Sequence, residues 1–178
     1  MTKRPALRTE RLVLRPFEMD DAPVVQALAG EREIAATTLL IPHPYPDSAA
    51  EQWIGTHQAG FEEGRSAIFA ITLAESGALI GAIGLTISAE HHRAELGYWI
   101  GRDHWGRGYA TEAGRAVIDY AFRELDLQRV EAHHFANNPS SGRVLEKLGM
   151  QREGYMRRSV FKWGDFVDTI HYAILREG

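Results

Sequence analysis

Ile100-Gly101-Arg102-Asp103-His104-Trp105-Gly106-Arg107-Gly108-Tyr109-Ala110-Thr111-Glu112-Ala113 carries an apolar run into a glycine-rich turn, and the turn opens a helix. Glycine at 106 and 108 lets the backbone bend tightly and approach a ligand. The first helical turn beyond offers unpaired N–H groups and the positive end of the helix dipole. The stretch is built to hold an anion. Two common phosphate loops do not fit it. No G-x-x-x-x-G-K-[ST] run exists in the chain, and a dinucleotide fingerprint needs a glycine-like residue where Thr111 stands.

Outward from the turn, Arg93 to Gly101 reads as a strand. Its alternation puts Glu95, Gly97 and Trp99 on one face and Leu96, Tyr98 and Ile100 on the other. After the turn, Ala113, Val117, Ile118, Ala121 and Leu125 keep helical spacing, so a helix is predicted to end near Glu124. Arg129 to Phe135 is the next strand. Asn138 is placed to cap a helix that begins at Pro139 and stops at Gly149. Gly142 in that helix's first turn costs roughly 1 kcal/mol relative to Ala, which implies a close neighbour. Gln151 to Phe161 and Phe166 to Leu175 form a closing hairpin turned at Trp163-Gly164-Asp165.

Before the turn, Leu12-Val13-Leu14 is a strand, and Asp20 to Leu28 a helix, with a short second helix over Glu31 to Thr38. Pro42, Pro44 and Pro46 make Leu39 to Tyr45 a loop. A helix from Asp47 toward Phe61 follows, then a hairpin of Ala67 to Leu73 and Leu79 to Ile87. Glycines 81 and 84 in the second arm signal a bulge or close packing. The order predicts one α/β domain over residues 1–178, with a mixed, mostly antiparallel sheet of about six or seven strands and about four helices.

With 44% hydrophobic and 25% charged residues the composition is that of a globular protein. Apolar runs fall far short of the roughly 20 residues a membrane helix requires. The first residues lack a secretory hydrophobic segment, so no membrane association and a cytoplasmic location are expected. The absence of cysteine excludes disulfides, cysteine metal sites and a covalent acyl-cysteine intermediate. A net charge of −4 argues against generic nucleic-acid binding and mildly favours a cationic partner, although solubility accounts for it equally well. His91-His92 and His133-His134 point to opposite faces if they lie on strands, so no metal site is predicted.

Trp105-Gly106-Arg107-Gly108-Tyr109-Ala110 resembles the Gln/Arg-x-x-Gly-x-Gly/Ala loop of the GCN5-related N-acetyltransferases, with Trp in the first place. That departure resembles the RimJ/RimL-like branch, which acetylates ribosomal-protein N-termini. Asn138-Pro139-Ser140-Ser141-Gly142-Arg143-Val144-Leu145-Glu146-Lys147-Leu148-Gly149-Met150 and the opening Thr9-Glu10-Arg11-Leu12-Val13-Leu14-Arg15-Pro16 also resemble family segments. The resemblance covers nearly the whole chain.

The resemblance implies acetyl-coenzyme A as co-substrate and direct transfer to a primary amine. The acceptor would be a protein N-terminus, with a polyamine, amino acid or aminoglycoside as the alternative; a homodimer is compatible with the likeness. The pyrophosphate would rest on N–H groups of Gly106, Arg107, Gly108, Tyr109, Ala110 and Thr111, with Arg107 adding charge. The main chain of Trp99 and Ile100 would pair with the pantetheine arm, where the family's strand splays from its neighbour. Glu95 is the candidate base; a solvated carboxylate or a partner for Arg93 is the alternative. On sequence alone Asn138 is a cap and Ser141 a helix residue, whereas the resemblance makes Asn138 a cofactor contact and Ser141 the proton donor to the leaving thiolate. Tyr155 or Tyr98 stands in for Ser141 if that residue faces elsewhere. Arg143 is either a phosphate contact or a solvated side chain. The cofactor motifs alone equally fit a non-catalytic coenzyme A binding module, against which Glu95 and Ser141 weigh.

Overall fold

The computed structural model describes residues 2–177. Its elements are β1 (Leu7–Arg8), β2 (Leu12–Arg15), α1 (Ala22–Ala29), α2 (Arg32–Thr37), α3 (Ala49–Gly55), α4 (His57–Glu62), β3 (Ser66–Leu73) and β4 (Leu79–Ser88). There follow β5 (Arg93–Ile100), α5 (Tyr109–Arg123), β6 (Arg129–Phe135), α6 (Pro139–Lys147), β7 (Gln151–Lys162) and β8 (Asp165–Leu175). All the strands join one sheet in the order β1-β2-β3-β4-β5-β6-β8-β7. Its eight strands exceed the six or seven expected because Leu7–Arg8 folds back onto Val13 and Leu14.

Six helices replace the expected four, in part because the helix expected from Asp47 to Phe61 is broken. The Thr56 hydroxyl donates to the Trp53 carbonyl at 2.7 Å, and the Thr56 N–H bonds the same carbonyl. That local pairing competes with the helical ladder, so the chain restarts as α4 with His57 turned inward.

Strand alternation divides the core into two layers. Phe69 and Ile71 of β3 pack with Val117 and Ala121 of α5, while Ala70 joins Phe17, Val25 and Ile54 on the opposite face. Each fully buried Leu, Ile or Phe contributes about 1.5–3 kcal/mol to holding helix on sheet. Gly81 lets β4 lie close to β5, since a Cβ there would fall 2.3 Å from the Trp99 carbonyl oxygen. Both expected reasons for glycine are found here, because the β3–β4 register also shifts beside Gly81, where Ile71 pairs with Gly81 and Thr72 with Leu79.

The pairing of β5 sets the position of the site. On one side β5 pairs with β4 along its whole length, from Arg93↔Ser88 to Ile100↔Gly81. On the other it runs parallel to β6 only over Arg93–Glu95 against Arg129–Glu131, while β6 continues alongside β8 to Phe135. From Leu96 onward the two central strands separate. No helix among the described residues is long and apolar enough to cross a membrane.

Candidate active site

The anion turn forms as its sequence requires. Gly106 and Gly108 have φ of 72° and 80°, and Gly108 caps α5 without any side-chain bond. The first bond across this helix start runs from the Glu112 N–H to the Gly108 carbonyl, leaving the N–H groups of Tyr109, Ala110 and Thr111 ahead of the ladder. Trp105 explains its own departure from the family pattern. Its indole N–H donates to the Ile100 carbonyl at 2.6 Å, tying the turn back to the end of β5.

The opening segment braces this turn. Glu112 accepts from the Thr9 hydroxyl at 2.6 Å, the Arg11 N–H at 2.8 Å and Arg11 Nε at 2.7 Å. Arg11 also donates to the Arg107 carbonyl at 3.0 Å and covers the Tyr109 ring at 4.7 Å. Burial opposes ionisation of Glu112, but the bonds from Thr9 and Arg11 outweigh it and hold the carboxyl below its ordinary range.

The gap between β5 and β6 opens a cavity of about 660 Å³ that reaches both faces of the sheet. Glu95, Trp99 and Ser141 line it, as do Tyr98, His133 and the loop at Leu39–Pro42. Tyr98 and Ser141 lie hydroxyl to hydroxyl at 2.6 Å. Burial raises the Tyr98 pKa, partly offset by the bond to Ser141, so the phenol stays protonated. Tyr155 is elsewhere: it is exposed on the outer hairpin and donates to Asp168. Of the two tyrosines expected to stand in for Ser141, Tyr98 is the one at the cavity, where it lies beside the serine rather than in place of it.

Glu95 is exposed, as a solvated strand carboxylate would be, but it is not the ion-pair partner of Arg93. Arg93 pairs with Glu131 at 3.3 Å, and Glu95 Oε1 meets His133 Nδ1 at 2.8 Å. The bond to His133 lowers the Glu95 pKa and the same bond raises that of His133. His133 stacks on His171 at 5.1 Å, and His171 Nε2 lies 2.9 Å from Thr169 Oγ1. Burial, then the neighbouring His133, lowers the pKa of His171.

The remaining expected residues lie outside the cavity. Asn138 stands at the N-cap position of α6 but makes no side-chain cap bond, so the expected capping role is not formed. Arg143 is exposed and folds back onto Ser140 Oγ at 2.9 Å. The close neighbour of Gly142 is His134, whose Nε2 would be 2.8 Å from an added Cβ. His133 is the residue that sequence reasoning passed over. Alternation correctly separates it from His134, yet only the adjacency of β6 to β5 shows that it faces Glu95.

A family profile described as acetyltransferase (GNAT) domain matches residues 11–151. The chain is 36% identical to the N-acetyltransferase p20 of Bacillus licheniformis, across 96% of both chains. It is 29% identical to the [ribosomal protein uS5]-alanine N-acetyltransferase of Escherichia coli, across 71% of this chain and 68% of that one. It superposes on the spermidine N-acetyltransferase of Vibrio cholerae, solved with CoA and spermine, with a TM-score of 0.81 and 25% identity, across 94% of this chain and 96% of that one.

Proposed function

This chain belongs to the GNAT acetyltransferase family and is an acyltransferase, and we propose that it moves acetyl directly from acetyl-coenzyme A to a primary amine, foremost the α-amino group of a protein N-terminus in the cytoplasm. The observation that carries this reading is the pair of proton-handling dyads at the β5–β6 gap, Glu95–His133 and Tyr98–Ser141, 2.8 Å and 2.6 Å across respectively. The chain's residues fit the co-substrate. The N–H groups of the turn and first helical residues from Gly106 to Thr111 suit an anion, and β6 leaves the β5 edge from Leu96 to Trp99 for an amide-bearing arm, the Ile100 carbonyl being held by Trp105.

When bound, the thioester supplies an activated acetyl group and a sulfur leaving group. The Glu95–His133 pair takes a proton from the acceptor ammonium, with Glu95 holding the imidazole and balancing the charge it gains. The freed amine's lone pair forms the C–N bond as the C–S bond breaks, and Tyr98, backed by Ser141, gives a proton to the departing sulfur and regains one from the proton that the new amide nitrogen sheds. The likeness to a uS5-alanine acetyltransferase supports an α-amino acceptor, while the spermidine enzyme supports a small amine as the alternative. Thiol release from acetyl-coenzyme A across N-terminal peptides and small amines tests the reading. Turnover with acetylation at an α-amine supports it. A protein stabilised by coenzyme A that releases no thiol with any acceptor overturns it.

A further inference from the structure

Resting on the acetyl-transfer reading, we infer that the acceptor is an amine with a single positive charge and an apolar or aromatic group beside the amino carbon, and that polyamines are excluded. Glu95 is the only Asp, Glu, Lys or Arg residue among those lining the cavity. One carboxylate accommodates one ammonium, and here it is already shared with His133. A second ammonium in the same cavity would lose its water without gaining a partner.

The rim adds charge of the wrong sign for a polycation. The Lys162 ammonium donates to the carbonyl of Thr38 and lies 6.0 Å from the Phe135 ring, and both of those residues line the cavity. Arg32 covers Trp163 at 4.7 Å, with Lys162 5.0 Å from the same ring. Lys162 thus sets one cation beside the cavity lining, and Arg32 shares the Trp163 ring with it. They repel additional positive charge and tolerate a neutral or anionic remainder of the acceptor.

Most of the rest of the lining is apolar. Ile41, Tyr45 and Trp53 pack against the core cluster to which α1 and α3 contribute. Leu40 lines the cavity yet is 88% exposed, so nothing in the protein covers it. An apolar substituent lying against Leu40 and Ile41 while its amine meets Glu95 satisfies both the charge and the surface.

Thiol release would be compared for tripeptide amides beginning with Leu, Phe, Ser or Asp, for phenethylamine, and for spermidine. Calorimetry on the coenzyme A-loaded protein would then measure binding of phenethylamine against spermidine. We expect kcat/KM for Leu- or Phe-first peptides to exceed Ser-first by at least ~10-fold, with spermidine at background. Leu40→Glu should cut the apolar acceptors by about tenfold and bring spermidine above background. Spermidine matching the Leu-first peptide, or Ser-first matching it, overturns the inference. If no acceptor releases thiol, the transfer reading fails, and the calorimetric preference alone decides whether the cavity selects an apolar monocation.

Discussion

Glu95 and His133 share one hydrogen bond, Oε1 to Nδ1 at 2.8 Å, with Glu95 in the last β5–β6 register pair, opposite Glu131, and His133 two residues beyond it. The bond depresses the Glu95 pKa below its ordinary 4.5 and raises that of His133 above 6.5. In the proposed transfer the pair accepts an amine proton only after His133 has lost its own. We therefore expect kcat to rise with pH through an inflection above 6.5. Glu95→Gln removes the charge that sustains the imidazolium, so it should shift the inflection to lower pH and cut kcat by about 10²–10⁴. Profiles with two acceptors of different amine basicity separate the acceptor's titration from the enzyme's. An unmoved inflection in Glu95→Gln would assign the proton to another group.

The same pair sets a window for stability. Glu95, with a depressed folded pKa, contributes above its unfolded value and loses that contribution as pH falls through the folded one. His133, with a raised folded pKa, contributes below 6.5 and loses it as pH rises through the higher folded value. Their joint contribution is fullest between 4.5 and 6.5. His133→Gln should lower Tm most inside that window.

Tyr98 and Ser141 lie 2.6 Å apart, and in the proposed transfer they act on the sulfur as one unit. Tyr98→Phe should lower kcat by about 10²-fold and leave KM for acetyl-coenzyme A nearly unchanged. Ser141→Ala should cost less, and the double variant should cost little beyond Tyr98→Phe alone. Tyr155→Phe serves as the control, because that hydroxyl bonds Asp168 on the outer hairpin. Loss of kcat in Tyr155→Phe equal to that in Tyr98→Phe would contradict the assignment.

Glu112 gathers Thr9, Arg11 and, through Arg11, the Arg107 carbonyl into one brace behind the anion turn. Glu112→Ala removes the acceptor that Thr9 and Arg11 share and leaves only the Arg11 bond to the Arg107 carbonyl to hold the turn. KM for acetyl-coenzyme A should rise on the order of tenfold, with a smaller change in kcat once the enzyme is saturated. The reverse split, kcat lost with KM kept, would place Glu112 in the chemistry.

His57 is almost fully buried, with neither ring nitrogen bonded, and packs against Trp53 at 4.5 Å and Phe17 at 5.5 Å. Burial, reinforced by the positive charge of Arg4, pushes its pKa down to about 4. A depressed histidine leaves the fold unpenalised above 6.5 and weakens it as pH falls from there to about 4, where the native state also takes the proton. Over that interval the loss should approach ~3 kcal/mol. His57→Phe keeps the aromatic packing and should flatten the acid side of the melting profile; an unchanged profile would move the acid sensitivity elsewhere.

Much of this was legible in the chain because it is local. The glycines of the anion turn, the period of β5 and the Pro139 helix start are each dictated within a few residues. The helix break at Thr56 was not, because a hydroxyl bond to Trp53 decides it against an otherwise continuous pattern. His133 escaped for a different reason. Its partner lies 38 positions earlier, and their meeting depends on a parallel crossover that brings β6 beside β5. Asn138 shows the converse: local pattern placed it at a cap, and its side chain makes no cap bond there.

Gly142 faces His134 so closely that a Cβ would stand 2.8 Å from Nε2 and 3.1 Å from Cε1. His134 cannot easily withdraw, because it is 6% exposed and its Nδ1 is engaged with the Phe135 carbonyl oxygen at 2.8 Å. Gly142→Ala must therefore push α6 outward, and Ser141 moves with it, away from Tyr98. We expect a loss of about 1–3 kcal/mol from overpacking, together with a fall in kcat. His134→Ala opens space at the same contact but costs packing of its own. The double variant should then be more stable than the sum of the two single losses, by an interaction of about 0.5–3 kcal/mol, and should recover part of kcat. Additive losses would show that the two residues do not meet in the folded protein, and that α6 is set by some other contact.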